Sequence, residues 1–457
     1  MFGIEEIKKA VGGRLYFSGT PQLEIQGVCI DSRRMKNNRL FVAIKGNRFN
    51  GHDFIQAAIR KGAKAVIGSM PSPKCVNRAK TAYIRVADTR RALADLARFH
   101  RKRFDIPVIA VTGSNGKTTT KDMLAWILSS RSKVLVNPGT QNNDIGVPLA
   151  LLQLNSSHEV AVMELGTNHF GEIAYLADIV RPNFGIITNI GPAHLEHFGN
   201  LSGVYEEKTS LLRSLRAPGI AILNADEPML ARLRKSRRSF VVTYGINNVS
   251  DFRARAVKQA TRGGIEFIVN SDYRQRIRLN TPGRANVYNA LAAIAVVRML
   301  GWGWQPIRSR LAQFSFPAGR MKLIRRKEVF FIDDTYNSNP ASLCEALRVL
   351  RESRVQGRKI FIMGDMLELG SSAERFHRNA GIQIAQTCDA FIGVGRLAQI
   401  AADWAVRLGL SRECVYSCRD SRRAGDLLFK RIKPQCRDLV LVKGSRLMKM
   451  EEVFKTQ

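Results

Sequence analysis

An α/β fold in three domains is what this sequence predicts, and three observations carry the prediction. Short β-branched runs alternate with helical patterns from residue 108 onward. A glycine-containing loop lies between one such run and the helical pattern after it. The chain, at 457 residues and 45% hydrophobic, is long enough for about three cores of ordinary size.

The runs are VIAVT (108–112), VAVMEL (160–165), FGIITNI (184–190), FFIDD (330–334), IFIMG (360–364), FIGVG (391–395) and LVLVKG (439–444). Such alternation implies parallel sheets with crossover helices, the doubly wound arrangement. One break falls around Arg103 to Pro107, just ahead of the loop. Another falls around Phe314 to Gly319 (FSFPAG), where a helix-rich stretch gives way to a new strand and helix series. The expected domains are therefore 1–104, 105–314 and 315–457. An alternating stretch at about 239–280 reads as an antiparallel addition to the middle sheet.

Composition sets the broad class. The net charge of +34 suits a nucleic-acid binder, a membrane-surface protein or an enzyme with a polyanionic substrate. The clusters HRKR (100–103), RLRKSRR (232–238) and RRK (325–327) lie far apart and lack interleaved aromatics, so they read as solvated surface. No apolar run approaches the roughly 18 residues of a membrane span, and MFGIEEIKKA carries glutamates where a signal peptide would be basic. A cytoplasmic protein is expected. Seven scattered cysteines without a CxxC indicate neither a disulfide framework nor a zinc ribbon.

After VIAVT comes GSNGKTTT (113–120), then the helical pattern KDMLAWIL. Small residues let backbone N–H groups turn toward phosphate oxygens, and the helix N-terminus adds partial positive charge. In such a loop Lys117 reaches the terminal phosphates and Thr118 holds magnesium. The loop is shorter than GxxxxGK[ST], since Val111 stands at its first glycine position.

Catalytic ligands in open α/β sheets come from the C-terminal ends of strands. VAVMEL contains Glu164 near its end, and FGIITNI runs into GPAHLEH with His194 just beyond. A carboxylate and an imidazole there suit magnesium ions bridging phosphates and the attacking group. Taken alone, Glu164 also reads as a helix N-terminal charge and His194 as a capping or packing residue; His197, His169 and Glu196 compete on spacing.

These motifs resemble the ATP-dependent Mur ligases of peptidoglycan synthesis, along essentially the whole chain. TGSNGKTTTK (112–121), NNDIGVPLALL (142–152), VMELGTNHFGEI (162–173) and TNIGPAHLEHFGN (188–200) follow in family order. GRANVYNALAAIA (283–295), FPAGRM (316–321), DDTYNSNPAS (333–342), MGDMLELG (363–370) and LVKGSR (441–446) resemble the branch that adds a dipeptide. DSRRMKNNRLFVAIKGNRFNGHDFI (31–55) is similar to the family's UDP-sugar recognition region.

The resemblance implies an N-terminal UDP-sugar-binding domain, a central ATPase domain and a C-terminal Rossmann-like domain that rotates over ATP. It implies that the terminal carboxylate of UDP-N-acetylmuramoyl-tripeptide attacks the γ-phosphate of ATP, giving an acyl phosphate and ADP. The amine of D-alanyl-D-alanine then displaces phosphate. Positioning and charge neutralisation carry most of such catalysis. ATP would meet Gly113, Ser114, Asn115, Gly116, Lys117, Thr118 and Thr119, with Asn289, Arg320 and Asp334. One magnesium would sit on Thr118 and Glu164, a second on His194; Ser32, Arg33 and Asn143 would contact the nucleotide-linked substrate, and Asn337 and Asn339 the dipeptide. A monomer, without nucleic-acid partner or membrane insertion, is expected.

Lys208 falls where the family carries a lysine carbamate. Local sequence alone reads it as an exposed helix lysine paired with Glu206 or Glu207. A free ammonium opposes a metal shell electrostatically, whereas carbon dioxide on a neutral amine yields an anion. Lys117, His194 and Lys208 are thus the expected catalytic residues.

The sequence departs from the family at Ala285, where GRAN replaces a usual histidine, and at Asn50, where an aspartate is common. A sister ligase adding one amino acid, or a folylpolyglutamate synthase, shares the loop and carbamate logic. A basic P-loop NTPase acting on nucleic acid accounts for the charge but leaves Glu164, His194 and Lys208 without a purpose.

Overall fold

The computed structural model describes residues 2–16, 23–78, 81–235, 240–259, 264–326 and 328–455. Three large sheets follow one another along the chain. The first has the strand order Arg14–Tyr16, Ala82–Arg85, Ala63–Gly68, Arg39–Val42, Val28–Cys29, parallel except at Arg14–Tyr16.

The central sheet has nine strands. Val108–Thr112 lies between Val160–Glu164 and Phe184–Ile187, all parallel. Val134–Val136 forms one edge, and Ile220–Asn224 and Phe240–Gly245 continue the other side. The chain thus leaves Val108–Thr112 first in one direction and then in the other, and the crevice where strand order reverses is where open sheets bind ligands.

The alternating stretch at 239–280 is only partly antiparallel. Phe240–Gly245 runs parallel to Ile220–Asn224, and its last four residues are buried in succession, the pattern of a strand covered on both faces. Antiparallel pairing begins beyond it, among Phe252–Gln259, Ile265–Asn270 and Arg274–Leu279. Residues 239 and 260–263 lie outside the described residues.

The third sheet has the order Lys322–Arg326, Val329–Asp334, Leu439–Lys443, Lys359–Gly364, Ala390–Val394, Val415–Cys418. It is parallel apart from the hairpin that opens it. Leu439–Lys443 and Ala390–Val394 are buried along their whole length, as helices on both faces require.

Helix Thr89–Arg101 joins the first two sheets. Asp88 caps it, accepting from the backbone N–H groups of Arg90 and Arg91, and one hydrophobic cluster runs from Phe2 through Leu93 and Leu96 to Met163 and Leu223. The expectation that HRKR is solvated surface fails for half the cluster. His100 and Arg101 are buried, and the Arg101 guanidinium donates to the carbonyls of Val180 (3.0 Å) and Phe104 (2.5 Å), the former the last carbonyl of helix Glu172–Val180, which has no partner within its own helix. Burial lowers the Arg101 pKa to about 10. Residues 236–238 and 327 of the other clusters lie outside the described residues.

The buried apolar clusters of the C-terminal sheet contain only residues from Met321 onward. That sheet has cores of its own, while the first two share one. No described helix is long and apolar enough to cross a membrane.

Candidate active site

A cleft of about 710 Å³ opens at the C-terminal ends of the central strands and is closed on its far side by the third sheet's loops. The loop after Val108–Thr112 forms its floor. Gly113 has φ +144°, and a Cβ there would stand 1.9 Å from Thr188 Oγ1; Gly116 has φ +81°, and a Cβ would stand 2.3 Å from Asn289 Oδ1. Only glycine fits either position.

The segment after Phe184–Ile187 pins this loop. Ser114 N donates to the Asn189 carbonyl, Ser114 Oγ exchanges hydrogen bonds of 2.9 Å with Gly191, and Asn115 N donates to Asn189 Oδ1 at 3.0 Å. Lys117 opens helix Lys117–Leu128, and its Nζ curls over the loop to the carbonyls of Gly113 (2.7 Å) and Ser114 (3.3 Å). Burial lowers its pKa, and Arg320 adds to the effect while Glu164 opposes it. Thr118 and Thr119 also face the cleft.

Glu164 ends its strand with 1% exposure. One carboxylate oxygen accepts from Asn142 Nδ2 at 2.7 Å, and the other, Oε2, is buried without a partner. A buried carboxylate oxygen left unpaired is costly, and a cation would satisfy it. Among the described residues no three of His, Cys, Asp and Glu gather around one point. One carboxylate with a nearby hydroxyl is the donor set of a magnesium held chiefly by phosphate and water.

His194 lines the cleft at a left-handed position, φ +51°, and its Nδ1 lies 2.9 Å from Glu368 Oε2. His169, His197 and Glu196 do not face the cleft; the rings of His169 and His197 pack 4.3 Å apart.

Lys208 is not the exposed lysine of the local reading. It is 2% exposed, and Glu207 is turned elsewhere, accepting from Gly171 N, Ile173 N and Thr167 Oγ1. Burial brings the Lys208 pKa down to about 7, with the Lys117 charge pushing the same way. Lys208 itself is not among the residues that face the cleft.

The C-terminal sheet contributes a second wall. Arg320 lies between Gly319, whose N–H donates to Asp333, and Met321, whose N–H donates to Asp334. Its guanidinium stacks 4.0 Å from the Tyr336 ring centroid and donates to Thr118 Oγ1 at 2.9 Å. Asp334 pairs with Lys443 at 2.5 Å, yet burial holds its pKa above the ordinary carboxylate value.

Asn289 sits against the loop, accepting from Thr120 Oγ1 at 3.2 Å. Asn143 faces the cleft while its Oδ1 accepts from Gly146 N, and the Asn337 carbonyl accepts from Lys443. Asn339 caps helix Pro340–Glu352, and its amide exchanges hydrogen bonds with that of Asn115 at 2.8 and 3.3 Å. Its polar atoms are therefore engaged across the junction.

Ser32 and Arg33 do not face this cleft. They form a 3₁₀ turn in the first domain, where the Arg33 side chain donates three hydrogen bonds to the Asp31 carboxylate, its backbone N–H adds a fourth, and the carboxyl is held down at about 2. At the two departures, Ala285 lines the cleft, and Asn50 Oδ1 accepts from His52 N and lies 2.8 Å from His52 Nδ1, orienting the ring as an aspartate would.

Sequence reasoning passed over Asn142, Lys443 and Glu368. All three lie in stretches noted for their resemblance, and Lys443 ends a fully buried strand, a position that marks functional side chains in such sheets.

Three family models match the chain: "Mur ligase family, catalytic domain" over residues 24–101, "Mur ligase middle domain" over 111–297, and "Mur ligase, glutamate ligase domain" over 319–446. The UDP-N-acetylmuramoyl-tripeptide–D-alanyl-D-alanine ligase of Bacillus subtilis is 33% identical over 99% of this chain and 97% of its own. That of Escherichia coli is 35% identical over 95% and 94%. Among solved structures, MurF from Acinetobacter baumannii superposes with a TM-score of 0.90 at 33% identity, covering 99% of this chain and 98% of its own. MurF ligase from Thermotoga maritima in complex with ADP gives 0.84 at 28%, covering 95% and 97%. With relatives more than 30% identical along almost its entire length, this chain belongs to the Mur ligase family.

Proposed function

We propose that this protein joins D-alanyl-D-alanine to UDP-N-acetylmuramoyl-tripeptide at the expense of ATP, forming an amide bond and releasing ADP and phosphate. The reaction supplies the pentapeptide precursor of peptidoglycan, and through it cell shape and division. The observation that carries the reading is the convergence of Lys117, Thr118, Glu164, His194 and Arg320 on one cleft, in a chain whose full-length relatives bear that activity in their names.

The first step brings two anions together, so the protein must neutralise and align them. Lys117 and the amides of residues 113–116 would hold the phosphates from below, with Arg320 from the opposite wall. Magnesium would supply charge neutralisation between the phosphates and the attacking carboxylate; Thr118 and Glu164 would hold one ion, and His194 with a carbamate on Lys208 a second. The orphaned Glu164 Oε2 supports this assignment.

Lys208 suits carbamate formation because burial favours its neutral amine. The lone pair of the neutral amine bonds to the carbon of CO₂, one C=O π pair moves onto oxygen and one N–H proton leaves to solvent, so a neutral buried amine becomes an anion. Asn289 and Asp334 would contact the nucleotide. Asn143 would contact the nucleotide-linked substrate, with Ser32 and Arg33 on its diphosphate, and Asn337 and Asn339 would lie near the dipeptide. Residues 1–104, 105–314 and 315–457 would act as muropeptide-binding, ATP-binding and closing domains. Seven free cysteines support a cytoplasmic reaction, and the protein would act as a monomer.

Phosphate release tests the proposal. Turnover should require the muropeptide and D-alanyl-D-alanine together; turnover with diaminopimelate, lysine or glutamate in place of the dipeptide would assign a sister activity.

A further inference from the structure

We infer that Glu368 is a positioning residue for His194, a carboxylate brought by the C-terminal domain that orients the imidazole toward its metal as the domains close. The inference rests on the proposed metal role of His194.

Three observations carry it. Glu368 Oε2 lies 2.9 Å from His194 Nδ1, so Nδ1–H donates to the carboxylate and Nε2 is the ring nitrogen left for a ligand. A histidine that binds metal through one nitrogen commonly donates from the other to a carboxylate, which fixes tautomer and ring plane. Second, both residues are non-glycine residues in the left-handed region, φ +51° at His194 and +62° at Glu368. Such backbone persists where surrounding contacts enforce it, and the two turns aim their side chains at each other.

Third, the loop bearing Glu368 is tightly held although Glu368 is itself largely exposed. Asp365 Oδ1 accepts from Ala398 N at 2.7 Å, Met366 N donates to His377 Nε2 at 3.0 Å, and Leu367 N donates to Ser445 Oγ at 2.9 Å. Three successive residues before Glu368 are thus tied to three different segments of the C-terminal domain. Little of this anchoring serves Glu368 unless its place matters. Because His194 belongs to the central sheet and Glu368 to the third, the pair exists only when the two domains meet, so it would link closure to completion of the metal site.

The test uses the full-length protein with Mn²⁺ and a non-hydrolysable ATP analogue. Glu368→Ala should weaken Mn²⁺ binding, followed by EPR, by about 10- to 100-fold, and should raise the Mg²⁺ concentration for half-maximal turnover by a similar factor, with turnover largely recovered at saturating Mg²⁺. His194→Ala, measured alongside, should weaken Mn²⁺ binding and remove the nitrogen modulation of the Mn²⁺ echo. If His194→Ala behaves so and Glu368→Ala matches wild type, the role of Glu368 is overturned while the metal reading of His194 stands. If neither variant moves Mn²⁺ binding, the metal reading falls and this inference with it.

Discussion

Arg320 Nη2 donates to Thr118 Oγ1 at 2.9 Å, so a guanidinium just ahead of the third sheet rests on the hydroxyl of the second residue of helix Lys117–Leu128. The contact places a delocalised cation where transferred phosphate would carry charge. Arg320→Lys would keep the charge but lose the planar fork and the stacking on Tyr336. We expect kcat/KM for ATP to fall by about 10²- to 10³-fold with an unchanged unfolding midpoint, measured by phosphate release and calorimetry.

Lys208→Ala should nearly abolish ligation, and a small carboxylate in the buffer should partly restore it. Wild-type protein equilibrated with ¹³C-labelled CO₂ should show a carbamate resonance that the variant lacks. Wild-type turnover by Lys208→Ala would remove the carbamate from the mechanism.

Asn339 caps its helix and pairs with Asn115, so its removal acts on both domains. Asn339→Ala should cost about 1 kcal/mol through the lost cap, and KM should rise for ATP and the dipeptide together because closure is weakened. A rise confined to the dipeptide would instead make Asn339 a direct substrate contact.

His377 is wholly buried and holds the Glu368 loop in its neutral form, accepting from Met366 N and donating to the Ala373 carbonyl. Burial depresses its pKa. The unfolded chain therefore binds this proton more readily, and the histidine's contribution is intact above about 6.5 and lost as pH falls from there toward the folded value. Denaturation midpoints of wild type and His377→Gln, compared at pH 7.5 and 5.5, should differ in slope by at most about 1.4 kcal/mol per pH unit, the variant being flatter. Equal slopes would show that His377 titrates alike in both states.

Much of the fold and site lay open in the sequence because it is local. The run VIAVT followed by GSNGKTTT dictates a strand, a tight turn and a helix within a dozen or so residues, and β-branched runs with helical spacers dictate parallel sheets. Glu164 and His194 were legible because strand ends in such sheets face the ligand crevice. Other features depend on residues far apart in the chain. The burial of Lys208 and Arg101 could not be read from neighbours that look like ordinary charged helix. The parallel pairing of Phe240–Gly245 is set by which strand it meets, not by its own alternation. By itself the sequence determined the glycine turn between strand and helix and the side-chain types at the strand ends, since backbone geometry and residue identity suffice for both. Only the tertiary structure decided which charges lose water and which residues meet across the domain junction. Desolvation of Lys208 and the pairing of His194 with Glu368 exist only once separate segments are packed together.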